Sequence, residues 1–252
     1  MSFPHVIFGD LNTGAHKQNT TDKRQPLGTA LWYPDGRHYR YALCGGTTLI
    51  VGNLTQGKAV VSGDYTDVVT DVAPAIGDIS LSLTTTTTTA AAYYNDGWVI
   101  VNKGAALEDG YIYKLKETGA NIVLAASAGN IVYLNPEDPI RVAGTTAQEV
   151  GLIPNSFNGV VVSVATNATG QLIGVAQAPI TNAKYGFVQT FGMCAVNSAA
   201  SQVVGDRLVN IAAAAGRVGI EAETSGVGAY IGEAMSVPTT AGEYGAIFLR
   251  LD

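Results

Sequence analysis

From Leu27 onward the chain is written in short runs rich in Val, Ile, Thr and Tyr, each stopped by Gly, Asn, Asp or Pro. Examples are TTLIVG (47–52), AVVSG (59–63), DISLSLTTT (78–86), GWVIVN (97–102), GYIYKLK (110–116), NIVLAA (121–126) and NIVYL (130–134). The second half continues with GVVVSVAT (159–166), QLIGVAQAP (171–179), YGFVQTFGMCAV (185–196) and EYGAIFLRL (243–251). Apolar and polar positions alternate within many of these runs, which is the period of a strand with one face buried. Runs at a spacing of roughly 8–12 residues, with thirty glycines to turn between them, predict an all-β chain of antiparallel sandwich or barrel domains. Helix signals are few. Thr84 to Thr89 followed by AAAYYND predicts one short helical turn closed near Gly97, and VNIAAAAG (209–216) reads equally as helix or strand.

The first 26 residues carry little periodicity and many turn formers, and are expected to be an extended arm, ordered only where it docks. The threonine run after ISLSL is β-branched and prolongs an alternating segment, so it is read as an edge strand. Boundaries are expected near that run and at the turn-rich LIPNSFNG (152–159). The resulting division is 1–75 for arm and hairpin, 76–155 for a β-domain, and 156–252 for a C-terminal barrel or sandwich.

Of the 252 residues, 47% are hydrophobic and 13% charged, against about 25% charged in an ordinary soluble domain. So few charges imply that part of the surface is covered by other subunits. The net charge is −6, divided as +2 over residues 1–40 and −8 over the remainder. An acidic body repels phosphate backbones, so direct nucleic-acid binding is not expected. The basic start, including Lys23 and Arg24, suits an acidic neighbouring surface. No apolar run is long enough for a signal peptide or membrane helix, and no membrane partner is expected. Cys44 and Cys194 lack CxxC spacing and are expected as buried free thiols. Sequons at Asn19, Asn53 and Asn167 matter only in a secreted eukaryotic chain.

The motifs that suggest chemistry fail on their neighbours. GNLTQGKA (52–59) matches the core of a phosphate-binding loop, but Ala59 stands where a metal-binding hydroxyl is needed and a strand follows instead of a helix. The expected alternative is a hairpin turn with Gly57 at positive φ. His5, His16 and His38 sit at no metal-ligand spacing, and no cofactor is expected. His38 and Cys44 fall on one face of a strand, about 20 Å apart by strand rise, too far for a dyad. Asp64, Asp67, Asp71 and Asp78 lack the pattern of a calcium loop and are read as solvated turn and edge carboxylates. Glu137 and Asp138 are adjacent on an extended chain, so they point apart and cannot flank one glycosidic bond. No enzyme is expected; a polysaccharide-acting one would need convergent carboxylates that the spacing does not supply.

LWYPDGRHYRYALCGG (31–46) concentrates aromatic and charged groups. Pro34 presets φ at a turn position and Gly36 supplies positive φ, so 27–33 and 37–44 are expected to form an antiparallel hairpin. Arg37, Tyr39, Tyr41 and Leu43 then share one face, and His38, Arg40, Ala42 and Cys44 the other. Basic and aromatic residues interleave in this way on RNA-binding sheets, but the acidic body favours a structural hairpin contacting a neighbouring subunit. Trp32, Arg37, Tyr39 and Arg40, with Lys23 and Arg24, are the candidate interface residues.

The order LGT, PDGR, YRYA, GGT, then GDISLSL, YYNDGWVIVNKG, GYIYKLK, DPIRVA and LIPNSFNGVVVS resembles tailed-bacteriophage structural proteins of the head-decoration (cement) type. GVAQAPITNAKYGFVQTFGMCAV, GDRLV and IGEAMSVPTTAGEYGAIFLRLD look like the same group, so the resemblance runs from Leu27 to Asp252. It implies a β-rich protein with no catalytic residues, a homotrimer on the outer surface of the virion capsid, made in the host cytoplasm. It also implies binding to the major capsid protein, with residues 1–45 as the expected anchor. The alternative is a tail- or fibre-associated virion protein that binds host-surface carbohydrate, for which Tyr93, Tyr94 and Trp98 are the candidate residues.

Overall fold

A computed structural model of the chain describes residues 6–104, 109–121, 123–146, 148–164, 168–199, 202–210, 214–220 and 228–252. Among them it has eighteen strands, two 3-10 turns and no α-helix, so the chain is all-β. Two compact units emerge: Met1–Lys58 with Ser156–Asp252, and Ala59–Asn155 inserted between those two stretches.

In the first unit the strands before the insertion are β1 (Val6–Phe8), β2 (Asn19–Thr20), β3 (Ala30–Trp32), β4 (His38–Cys44) and β5 (Leu54–Gln56). The inserted unit holds β6 (Val68–Thr70), β7 (Ser80–Thr84), β8 (Trp98–Lys103), β9 (Ile112–Lys114), β10 (Asn130–Tyr133) and β11 (Glu149–Ile153). The first unit resumes with β12 (Asn158–Val162), β13 (Leu172–Ala176), β14 (Tyr185–Asn197) and β15 (Arg207–Asn210). It ends with β16 (Val218–Ile220), β17 (Tyr230–Ala234) and β18 (Tyr244–Arg250). The expected boundary at 75/76 is therefore corrected. β5 finds its partners only in β12 and β13, beyond the insertion, so residues 1–58 need 156–252 to complete their sheet.

Five strands of the first unit, β4, β12, β5, β13 and β14, pair in a closed ring. Closure removes sheet edges and encloses a core of Ala42, Cys44, Leu49, Val160, Ile173, Ala176, Ile180 and Val188. β14 is thirteen residues long and outruns this ring. Its second half pairs with β18, which continues through β17 and β15 to β16. Leu54, Val175, Cys194, Val196, Leu208, Val218, Ile231, Ile247 and Leu249 fill the core of this extension.

The inserted unit is one curled sheet in the order β10-β7-β6-β11-β8-β9, and its end strands meet at the Leu115–Leu134 bridge. Leu83, Tyr94, Val99, Tyr113, Leu115, Leu124, Val132, Leu134 and Leu152 form its own core. β7 lies between β10 and β6, so the threonine run begins inside the sheet and not at an edge. The run then leaves the strand with Thr85 and Thr89 buried, and the Thr85 hydroxyl donates to the Ala125 carbonyl at 2.6 Å. The predicted helical turn at 90–96 is instead a series of tight turns, with Ala92 and Asp96 at positive φ.

The N-terminal stretch is held by its own unit. β1 runs parallel to β3, β2 pairs with β14, and the 3-10 turns Leu11–Thr13 and Ala15–Lys17 lie between.

Candidate functional site

The hairpin forms as its residues dictate. Gly36 adopts φ +83° and its N–H donates to the Tyr33 carbonyl at 3.1 Å; Tyr33 N–H donates to the Arg37 carbonyl at 3.0 Å. Asp35 accepts from the Arg37 backbone N–H and Nε at 3.1 and 2.8 Å. That side-chain hydrogen bond from Arg37 holds the Asp35 carboxyl below its ordinary value and raises the guanidinium. Beyond the turn, Trp32 opposes His38, Leu31 opposes Tyr39 and Ala30 opposes Arg40.

Both faces of β4 are covered, which decides the fate of the candidate residues. Tyr39 and Tyr41 are fully buried with Leu31, Tyr33 and Phe187, and burial pushes the Tyr39 hydroxyl up to about 12. Tyr39 is thus core, and its reading as an interface residue is corrected. Arg40 grips Asp252 with Nε and Nη2 at 3.0 and 2.6 Å and donates Nη1 to the Gly28 carbonyl, tying the chain's end to β4. Arg24 is exposed, with its backbone N–H on the Tyr41 hydroxyl, and Lys23 beside it is half-buried. Trp32 and Arg37 remain at the surface, Trp32 37% exposed.

Trp32 belongs to a ladder of aromatic rings that crosses five strands. Phe8 on β1 meets Trp32 on β3 edge-on at 6.1 Å. Trp32 stacks on His38 of β4 at 4.9 Å, and His38 stacks on Phe191 of β14 at 5.0 Å. Phe191 meets Phe248 of β18 edge-on at 5.2 Å, and the Arg250 guanidinium lies over the Phe248 ring at 5.4 Å while pairing with Glu233 at 3.4 Å. The spacings are those of neighbouring strands, so each ring stands on the next strand of the sheet. The link across β4 and β14 depends on a bulge: Gln189 opposes Tyr39, yet Phe191, two residues on, opposes His38. The extra residue rotates Phe191 from the buried tyrosine face to the exposed face. Met193, 46% exposed, and Tyr244, 55% exposed, extend the face along β14 and β18, where they line a depression of about 500 Å³ with Arg37, Gln177, Ala195 and Ala246.

The ladder's chemistry follows from how the rings face. His38 has Trp32 on one side and Phe191 on the other, so its faces are occupied and ring edges point outward. A base or sugar ring needs an open aromatic face to stack on. A ridge of ring edges ended by the 80% exposed Phe8 instead suits shape-complementary contact with another protein.

The remaining candidates have structural employment. β5 runs through GNLTQGKA, and Gly57 is not at positive φ; a Cβ there would lie 2.8 Å from the Ser156 carbonyl oxygen, so close approach is what requires glycine. Asp64 is buried and accepts from the Tyr94 and Thr87 hydroxyls at 2.7 and 2.6 Å, which corrects its reading as a solvated carboxylate. Burial and that carboxylate push the Tyr94 hydroxyl up, and Tyr94 is core. Asp71 accepts from Thr84, Ser82 and the Gly129 N–H. Asp138 accepts the Lys114 N–H at 2.7 Å. Both cysteines are free and buried, and burial raises Cys194 to about 12. Of the proposed glycan residues, Tyr93 is half-buried and Trp98 is 41% exposed, with the Lys114 ammonium 4.1 Å above its ring. Among the described residues no three His, Cys, Asp or Glu side chains converge as a metal site, and no helix is long and apolar enough to cross a membrane.

Phe8, His38, Phe191 and Phe248 were not among the candidate interface residues. Their sequence positions give no common signal; the strand order of the sheet assembles them. Searches with protein-family models, curated proteins and solved structures return no match to this chain.

Proposed function

We propose that the chain is a structural protein of a tailed-phage virion, a head-decoration protein that binds the major capsid protein lattice, associates with copies of itself as a trimer, and stabilises the head. The observation that carries this reading is the aromatic ladder, closed by stacking around His38 and ended by the 80% exposed Phe8, a ridge suited to protein contact. The sequence resemblance supplies the setting, and the low charge content agrees with a chain that covers surface in an assembly.

The test is co-sedimentation with purified capsids, with copy number read by imaging the intact particle. Binding near one copy per capsid subunit is expected. A Trp32→Ser variant, folded by circular dichroism, is expected to bind at least tenfold more weakly, as for an aromatic anchor in an interface. A handful of copies per particle, or undiminished binding by the variant, overturns the assignment.

A second reading, a tail or fibre part that binds host glycan, is favoured by Trp98 alone. Retention on host polysaccharide that Trp98→Ala abolishes would support it.

A further inference from the structure

We propose that residues 6–20 form an acid-releasable strap, pinned by His16 over the tyrosine cluster of the hairpin and poised to lift when that imidazole takes a proton. The strap's other ties are short. β1 pairs with β3 over three residues, β2 with β14 over two, and the Asn19 side chain bonds Thr181. Between them His16 is the one buried residue of its 3-10 turn, 7% exposed. Its ring meets Tyr33 edge-on at 5.2 Å and lies 5.3 Å from the Tyr39 ring.

The hydrogen bonds define the protonation state that fits. The Tyr33 oxygen accepts the His16 backbone N–H at 3.2 Å and lies 2.9 Å from Nδ1. With the imidazole neutral and Nδ1 unprotonated, the hydroxyl donates its proton to Nδ1 while accepting the backbone N–H, an arrangement that satisfies both groups. Protonation of Nδ1 makes the ring a cation in a buried site and forces the Tyr33 hydroxyl to turn its own proton away from it.

The charged surroundings act in the same direction. Arg37, from the hairpin turn, and Lys17, from the strap, oppose a cation at His16; Asp35 favours one but is already held by Arg37 at 2.7 Å. The hydroxyls facing it from the hairpin are those of Tyr33, just after β3, and of Tyr39 and Tyr41 on β4, and β14 carries no charged residue, its titratable groups being Tyr185 and Cys194. Burial first, then Arg37 and Lys17, lower the imidazole from its ordinary 6.5. A group held neutral in the docked state stabilises docking fully above 6.5, and the stabilisation falls as pH drops below that value until the docked imidazole itself titrates.

Lifting the strap has two structural consequences. It withdraws Ile7 and Ala15 from Leu31, Tyr33, Tyr39, Tyr41 and Phe187, and frees the β3 edge for another strand. It also carries away Phe8, the end rung of the aromatic ladder. Neither consequence depends on the virion assignment.

Hydrogen exchange on the full chain tests the strap without any capsid. Amides of 6–20 are labelled at pH 7.5 and 5.0, with labelling times scaled to the intrinsic rates and β4 as internal control. Protection of the strap should fall at pH 5.0, by up to about tenfold for each pH unit by which docking lowers His16, while β4 stays protected. His16→Gln, which keeps an acceptor for Tyr33 and cannot titrate, should show equal protection at both pH values. Arg37→Gln should shrink the acid loss, because it brings the docked imidazole closer to 6.5. Unchanged protection in the wild type, or the same acid loss in His16→Gln, overturns the proposal. If the Gln strap is open at both pH values, an undiminished acid loss in Arg37→Gln overturns it.

Discussion

Asp64 shows how much one buried polar residue organises. Its carboxylate joins Tyr94, in the turn before β8, to Thr87, beyond the threonine strand, and its backbone carbonyl accepts the Leu152 N–H at 2.6 Å. Three separate segments of the inserted unit converge on it. Tyr94→Phe removes one hydroxyl donor from a buried carboxyl acceptor, and leaving such a group under-satisfied costs about 1–3 kcal/mol. Urea unfolding of the full chain should show that loss, with the transition of the inserted unit shifted. Arg40 is the comparable residue of the first unit: its fork on Asp252 is matched in geometry and only partly exposed. The aromatic and charged residues of 31–46 thus divide by face, with Tyr39 and Tyr41 inside, Arg40 in an intramolecular pair, and Trp32 and His38 in the ladder.

Among elements, β14 does the most. Its first half completes the ring and its second half opens the extension, and the bulge at Gln189/Phe191 lets one strand serve two cores while turning Phe191 outward. Gly192 follows the bulge at φ +90°, where a Cβ would lie 2.9 Å from the Gly36 carbonyl oxygen. Both the backbone conformation and the close approach require glycine there. Gly192→Ala should destabilise the protein by about 1–3 kcal/mol, and it should disturb the Trp32–His38–Phe191 stack. Thermal melting measures the first effect and Trp32 fluorescence, in a Trp98→Phe background, the second. The strand pattern of β14 was readable from YGFVQTFGMCAV, but its bulge was not, because a bulge is a property of the pairing with β4 and leaves no mark on either strand alone.

At the scale of the molecule, the inserted unit has a core of its own, and the first unit closes its sheets across the insertion point. Gly57 and Ser156 are in contact there, so a short linker can replace residues 59–155 without separating β5 from β12. We expect the chain joined in this way, and the isolated 59–155 segment, each to fold with a cooperative melt and strand-type circular dichroism. A disordered product from either would mean that the units depend on each other for stability.

Period-two alternation and turn residues by themselves determined the all-β class and the Pro-Asp-Gly hairpin, because these rest on residues close in sequence and on local backbone preference, while the free thiols followed from the absence of CxxC spacing. Which segments are strands was legible in outline. TTLIVG and AVVSG, expected as strands, hold none, and the short β5 and β6 that lie beyond them did not stand out, since three residues make too little alternation. The tertiary structure alone decided which strands are neighbours. Strand order joined residues 1–58 to 156–252, placed the threonine strand inside a sheet, and docked the N-terminal stretch on its own hairpin. It also built the ladder, because residues 8, 32, 38, 191 and 248 meet only when hydrogen-bond registry aligns five strands and a bulge turns one ring to the common face. Registry is fixed by the burial of whole faces at once, a property no single stretch of sequence carries.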